Sequence, residues 1–178
     1  MANPALQPDY TVDDQRQWEG DWELLRGAPH AMTPSPGFAH QQTSLKIARQ
    51  LDEALDQCPH CRAIIETDVE LAADTVLRPD CAVICYEPEG DRLTRAPELV
   101  FEVVSPSSVK RDEIFKPAIY QEEGVSWFVL VYPDSRKAKV YRLIDHQYRK
   151  IADYSRETHL FELSKCRIDF DFGFIWGR

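Results

Sequence analysis

The spacing of apolar and polar positions changes several times along the chain, and each change predicts an element. Thr11, followed three positions later by Asp14, has the form of a helix N-cap, and a short helix is expected to end near Trp18. Gly20 and Gly27 bracket a candidate strand at 21–26, with 30–33 as its pairing partner. Thr33-Pro34-Ser35-Pro36-Gly37 is a loop by composition. Leu45, Ala48, Leu51 and Leu55 then recur at helical spacing, which predicts a helix over 38–57. Across 62–71, Ile65, Thr67, Val69 and Leu71 alternate with Glu66, Asp68 and Glu70, the period of a strand exposed on one side. Short apolar strands are expected at 81–86 and 99–104, the second stopped by Ser105-Pro106-Ser107-Ser108. A helix follows over 109–123, ending at Gly124. The unbroken apolar run 127–132 suits a central strand covered on both faces. Segments 137–144 and 147–154 read as a hairpin about Asp145-His146, and Ile168, Phe170 and Phe172 alternate in the tail. The pattern predicts an α/β (α+β) protein with a mixed central sheet flanked by about two main helices.

Size and composition narrow the class. A chain of 178 residues is expected to form a single domain, 1–178, with residues 1–10 as a loose N-terminal arm. Apolar residues make up 43% and charged residues 29%, which excludes a disordered chain. No apolar run of about 18 residues is present, so no membrane partner is expected. The polar, acidic first 14 residues do not read as a signal peptide. Five cysteines, an odd number at low density, lead to the expectation of reduced thiols and a cytoplasmic location. The net charge of −9 is unevenly spread. Residues 1–102 hold 8 basic and 19 acidic side chains, whereas 103–150 hold 9 basic and 6 acidic. A polyanion would have to be met by the later segment.

One constellation carries chemistry. Asp80 follows Arg78-Pro79 at the opening of a strand, and Glu102 interrupts the apolar run Leu99-Val100-Phe101-Glu102-Val103-Val104. A carboxylate inside an apolar strand costs several kcal/mol unless it is paired. Two carboxylates on adjacent strands can share a divalent cation, and an all-oxygen site with open water positions suits Mg2+ or Mn2+. Such an ion activates water and neutralises an attacked phosphate. Lys116, on the following helix, can stabilise the negative charge that develops or help activate the water. Structural alternatives stand beside this reading: Glu102 could pair with a buried Arg78, and Lys116 with Asp112 four residues earlier.

These residues resemble the PD-(D/E)XK restriction-endonuclease-like superfamily and, within it, the Uma-two family of endonucleases. The resemblance runs from about Thr11 to Leu143. It rests on Trp22-Glu23-Leu24-Leu25-Arg26-Gly27, Pro34-Ser35 with His40, Arg78-Pro79-Asp80, and the stretch from Glu98 to Ser108. Asp112, Lys116, Tyr120, Gly124-Val125 and Trp127 extend it. The resemblance implies a restriction-endonuclease-like core and metal-dependent hydrolysis of phosphodiester bonds in DNA. It implies Asp80 and Glu102 as metal ligands, Lys116 as the helper cation, and Glu23 and His40 as secondary candidates. A homodimer, which could cut both strands, is implied by the same analogy. The apolar run 127–132 and the aromatic tail up to Trp176 are candidates for its surface or for the core. The superfamily's usual lysine position, two after the glutamate, is Val104 here, and Lys110 is a lesser substitute for Lys116. Pro117 disfavours a helical conformation at Lys116, which predicts a kink or a helix start there. Glu23 alternates with Trp22 and Leu24, and a solvent-facing reading stands equally. His40, near a helix start, reads as a phosphate donor or as a cap-region side chain.

Cys58-Pro59-His60-Cys61 has the letters of a redox-active dithiol, but that chemistry needs a strand before it and a helix after it. Here the predicted order is reversed. A zinc site lacks a second Cys-x-x-Cys, since Cys81 and Cys85 are spaced differently. Cys58 and Cys61 are therefore expected to be reduced and metal-free, at a helix-to-strand junction. Three functions remain open: a Mg2+- or Mn2+-dependent DNA endonuclease, a non-catalytic binding module of the same fold, and a thiol–disulfide oxidoreductase using Cys58 and Cys61.

Overall fold

The computed structural model describes residues 9–32 and 36–177. Residues 1–8 of the expected arm and 33–35 of the expected loop lie outside the described residues. The chain opens with the one-turn helix α1 (Val12–Gln15), which is closed by the predicted capping box: the Thr11 backbone N–H donates to Asp14 Oδ2 at 2.8 Å, and Asp14 N–H donates back to Thr11 Oγ1 at 3.3 Å. Strands β1 (Trp22–Leu25) and β2 (Ala28–Ala31) form a hairpin. Its turn places Arg26 and Gly27 at φ of 48° and 78°, the left-handed pair that matches the twist of the flanking strands.

Next come helix α2 (Phe38–Leu55) and strands β3 (Arg62–Ile65), β4 (Val69–Ala72), β5 (Thr75–Leu77), β6 (Cys81–Ile84) and β7 (Leu99–Val103). A π-helical turn at Arg111–Phe115 runs into α3 (Lys116–Glu122). Strands β8 (Trp127–Tyr132), β9 (Lys137–Ile144), β10 (Gln147–Tyr154), β11 (Thr158–Glu162) and β12 (Arg167–Asp171) complete the order.

The main sheet has six strands in the order β10-β9-β8-β7-β6-β3, and β7–β8 is its parallel pair among antiparallel neighbours. A four-stranded sheet, β2-β1-β5-β4, and the β11–β12 pair lie beside it. This is the mixed α+β architecture the pattern implies. Strand β8 is buried on both faces, as its unbroken apolar run requires. Val129 and Val131 join α2, Phe101, Phe161 and Phe170 in one core; Phe128 and Leu130 join Ile119, Tyr120, Leu25 and Leu77 in another. In the tail, Phe170, Phe172, Ile175 and Trp176 are buried, so they and the 127–131 run are core, whereas Phe174 is exposed. The β9–β10 turn has Asp145 and His146 at φ of 51° and 61°, the hairpin the sequence predicts.

Several expectations need correction. The 62–71 stretch is two strands in two different sheets. Glu66 adopts φ of 43° and turns the chain between them, a break that simple alternation does not reveal. In α2 the buried face is Thr43, Ile47, Leu51 and Leu55, with Ala48 partly buried against the same core, while Leu45 lies on the far edge of the predicted set and faces solvent. The predicted 109–123 helix contains the π-helical turn: Lys116 N–H bonds the Arg111 carbonyl five residues back. Pro117 has no N–H to give and its ring crowds the carbonyl four residues before it, so the preceding turn widens.

The cysteines also differ from expectation. Cys58 bonds Cys166, and Cys61 bonds Cys85. The expectation of reduced thiols is overturned because the partners lie 108 and 24 residues away in sequence, and only the fold brings them together. The helix-to-strand placement holds, since Cys58 follows α2 and Cys61 precedes β3. Cys58 and Cys61 are not bonded to each other, so the dithiol reading gains no support.

Candidate active site

Strands β6 and β7 pair antiparallel with Cys81 opposite Phe101, which sets Asp80, one step before, next to Glu102, one step after. Both carboxylates line one cavity of about 460 Å³ with His40, Asp112, Lys116 and Arg111. Asp80 is fixed from two sides. Its Oδ2 accepts the Val103 N–H at 2.7 Å, and its Oδ1 lies 3.3 Å from His40 Nε2. His40 reaches it from the first turn of α2. Burial lowers the His40 pKa, but the hydrogen bond to Asp80 and the charges of Asp80, Asp112 and Glu66 outweigh it and raise the imidazole above its ordinary value.

Glu102 is buried and engaged through a single oxygen. Its Oε1 accepts from Lys116 Nζ at 3.0 Å and from the Tyr120 hydroxyl at 2.7 Å. Burial pushes the carboxyl well above the usual range, against the pull of Lys116 and with the push of Asp80, Asp112 and Glu23. Lys116 Nζ lies 2.8 Å from Glu23 Oε1 and 3.9 Å from Asp112 Oδ1. Burial works against the charged ammonium, yet the surrounding carboxylates, Glu102 first, hold it protonated far above the ordinary lysine value. The Asp112 carboxyl is likewise raised by burial, with Lys116 opposing.

Each residue singled out in the sequence can now be located. Glu23 is fully buried, accepts the Arg78 N–H at 2.9 Å and has Arg111 Nε 3.4 Å from its other oxygen, so the solvent-facing reading is overturned. Its strand carries buried side chains on both faces at this point, which alternation alone does not reveal. Arg78 pairs with Asp68 and Asp21 at 2.7 and 2.6 Å, not with Glu102. The Lys116–Asp112 contact exists but is the longest of the three around Lys116. Lys110 sits over the Phe115 ring at 5.4 Å instead of lining the cavity. Val104, at the superfamily's lysine position, packs in the apolar cluster of Ile119 and Tyr120.

Tyr120 entered the sequence reading only through the resemblance, Asp112 also as a structural partner for Lys116, and Arg111 did not enter it at all. A signal for the first two was present: Asp112, Lys116 and Tyr120 recur every four residues, one stripe of a helix turned towards Glu102. Ser105-Pro106-Ser107-Ser108 ends β7 and starts the helix. Ser108 Oγ accepts the Ser105 N–H at 3.0 Å, and Ser108 N–H bonds the Ser105 carbonyl at 3.0 Å.

The donor set fits a hard divalent cation. Asp80 and Glu102 are oxygen donors bordering a space that admits water, and Glu102 Oε2 takes part in none of the contacts above. No group of three or more His, Cys, Asp and Glu side chains arranged to hold a metal occurs among the described residues. An ion here would keep several waters, which is the habit of Mg2+ and not of Zn2+.

The arrangement is that of a nuclease-type fold. The chain aligns over 94% of its length with 97% of a crystal structure described as a putative nuclease belonging to DUF820 from Anabaena variabilis ATCC 29413, with a TM-score of 0.77 at 16% identity. Residues 12–166 match the profile of the Uma2 family, described as "Putative restriction endonuclease", and the chain belongs to that family. A DrdV–DNA complex aligns over 64% of this chain and 12% of that one, with a TM-score of 0.33 at 13% identity, too low to carry an argument. No curated protein matches the chain. Among the described residues no helix is long and apolar enough to cross a membrane.

Proposed function

We propose that the protein is a Mg2+- or Mn2+-dependent endonuclease that hydrolyses phosphodiester bonds in DNA, with Asp80 and Glu102 holding the metal and Lys116 as the helper cation. The observation that carries this reading is the meeting of Asp80 and Glu102 across β6 and β7 at one cavity, with Lys116 Nζ 3.0 Å from Glu102. A bound divalent cation supplies Lewis acidity to the attacked phosphate and lowers the pKa of bound water.

The chain's own groups do the rest. Val103 N–H and His40 hold the Asp80 carboxylate in one orientation. Tyr120 and Lys116 fix Oε1 of Glu102 and leave Oε2 for a ligand. The carboxylates around Lys116, Glu102 first, favour its charged form in the metal-free protein, and its part in this reading is to act by charge. Arg111, with its guanidinium at the cavity, supplies a further positive charge for a polyanion. One chain brings one Asp80–Glu102 pair, so cutting both strands calls for a homodimer or for two successive nicks. The reading takes the protein as cytoplasmic, where Mg2+ and DNA are both available.

The test is nicking of supercoiled plasmid by wild type, Asp80→Asn and Glu102→Gln with Mg2+, with Mn2+ and with a chelator. Cleavage by wild type with metal alone, lost in both variants, supports the reading. Absence of cleavage with either metal, in folded wild type, would leave the non-catalytic binding module as the better account.

A further inference from the structure

The helical segment from Arg111 through α3 separates two clefts. Arg111, Asp112 and Lys116 line the candidate active site on one side. On the other, Glu113, Pro117 and Gln121 wall a second cavity of about 280 Å³, whose sheet wall includes Phe128, Tyr141 and Tyr148. Strand register carries that aromatic wall across β8, β9 and β10. Tyr132 stands opposite Lys137, Tyr141 opposite Lys150, and Leu143 opposite Tyr148. Directly opposed residues share a face of a sheet, and so do residues two apart along a strand. Tyr132, Tyr141 and Tyr148 therefore share one face with Lys137, Lys139 and Lys150. The three tyrosines are half-buried there, Lys137 and Lys150 are exposed, and β10 is an edge of the six-stranded sheet.

The charge of this region runs against that of the chain. Residues 133–150 hold six basic and two acidic side chains, in a protein of net charge −9. Lys139 Nζ stands 5.0 Å over the Tyr132 ring. Arg142 and Arg149 face the opposite way across the same two strands and add to the local positive potential.

We propose that this face binds single-stranded DNA, with bases stacked on Tyr132, Tyr141 and Tyr148 and phosphates held by Lys137, Lys139 and Lys150. The choice of DNA as the polyanion rests on the reading of the candidate active site above; the binding does not depend on cleavage. Tyrosines interleaved with lysines on a sheet face are a stacking platform with a charged track. A duplex hides the faces of its bases within its own stack, so only an unpaired strand can use the rings.

The platform is held in place before any strand arrives. The Tyr148 ring stacks on Phe128 with centroids 5.7 Å apart and planes 24° apart, and its hydroxyl donates to the Val125 carbonyl at 2.8 Å. Its backbone N–H donates to Gln121 Oε1 at 2.7 Å. The Tyr132 hydroxyl donates to Glu113 Oε1 at 2.6 Å, which fixes that ring by its edge. Lys150 is paired with Asp153 at 2.5 Å, with both side chains well exposed. Such a pair contributes little, so a phosphate can take the carboxylate's place. A strand on this face reaches the Asp80–Glu102 pair by passing one helix, about 10–12 Å across. The favoured substrate is then DNA with an unpaired segment beside the scissile phosphate.

The experiment measures binding with chelator present, so that cleavage plays no part. Fluorescence anisotropy reads the full chain against a labelled single strand of about 16 nucleotides, its duplex, and the RNA strand of the same sequence. Wild type should bind the DNA single strand more tightly than the duplex by about 10-fold or more. Tyr141→Ala should weaken that binding by about 5- to 150-fold, and Tyr141→Phe, which keeps the ring, should retain it. Lys139→Gln and Lys150→Gln should each lower the slope of log affinity against log salt by about 0.7, with circular dichroism unchanged. These lysine variants keep the test open should Tyr141→Ala fail to fold. A protein that binds single strands in this way but cuts no plasmid supports this inference and refutes the nuclease reading alone. One that cuts plasmid but prefers duplex, or whose binding ignores both lysine variants, overturns this inference alone. Absence of single-strand binding, or tighter binding of the RNA strand, overturns it as well.

Discussion

Replacing Lys116 with methionine removes a buried cation from three carboxylates while keeping an apolar stem of similar length. The cost can be worked out from the partners that remain. Glu23 keeps Arg111 at 3.4 Å and the Arg78 N–H at 2.9 Å. Asp112 keeps its bond to Ser108. Glu102 keeps only the Tyr120 hydroxyl, so one carboxylate and not three is left without compensation. Removing one partner of a buried pair costs about 3–5 kcal/mol, or about 6–20 °C in Tm for a chain of this size. The deficit depends on pH. Burial already raises Glu102 above 4.5, and losing Lys116 removes the main opposing influence. Because the folded state then binds the proton more tightly than the unfolded one, stability is lost as pH rises through the folded value and regained as it falls towards 4.5. Urea unfolding of wild type and Lys116→Met between about pH 5 and pH 8, with chelator present, should show a deficit that is largest at the alkaline end. A deficit below about 1 kcal/mol, or one that does not change with pH, would refute the reasoning.

Three further outcomes follow from the same contacts. Lys116→Ala, assayed below its own Tm, should slow metal-dependent cleavage by about 100- to 1000-fold while a spectroscopic Mn2+ titration shows binding retained, because lysine is not a ligand. His40→Gln should cost more stability at about pH 5.5 than at about pH 8.5, since a raised imidazole value contributes below the unfolded value and loses its contribution as pH rises through the folded one; thermal melts in chelator read this directly. Phe101→Ala, at a fully buried position between Phe161 and Phe170 with ring centroids 5.9 and 5.0 Å away, should cost about 3–5 kcal/mol in urea unfolding.

What the sequence disclosed depended on whether the signal was local. Strand β8 and the β9–β10 hairpin were readable because an unbroken apolar run and an Asp-His turn each carry their own meaning. The break at Glu66 was hidden, since alternation continues in register across a turn that moves the chain from one sheet to another. Strand β11 passed unnoticed because four of its five residues are partly or fully exposed and mostly polar, leaving Phe161 as its buried anchor. Glu102 was conspicuous as a carboxylate inside an apolar strand. Glu23 was ambiguous, because its strand is buried on both sides. The cysteine pairs were beyond local reading altogether: Cys58 and Cys166 are 108 residues apart, and nothing in either neighbourhood names the other.

The central claim is that Asp80 and Glu102 together hold a divalent cation at the β6–β7 junction. Calorimetric titration of Mn2+ into wild type and Asp80→Asn tests it most directly, with both proteins oxidised so that the cysteines offer no ligand. The account predicts binding at the site in wild type and its loss in the variant, with unchanged circular dichroism. Equal Mn2+ binding by the two folded proteins, or none by wild type, would contradict it.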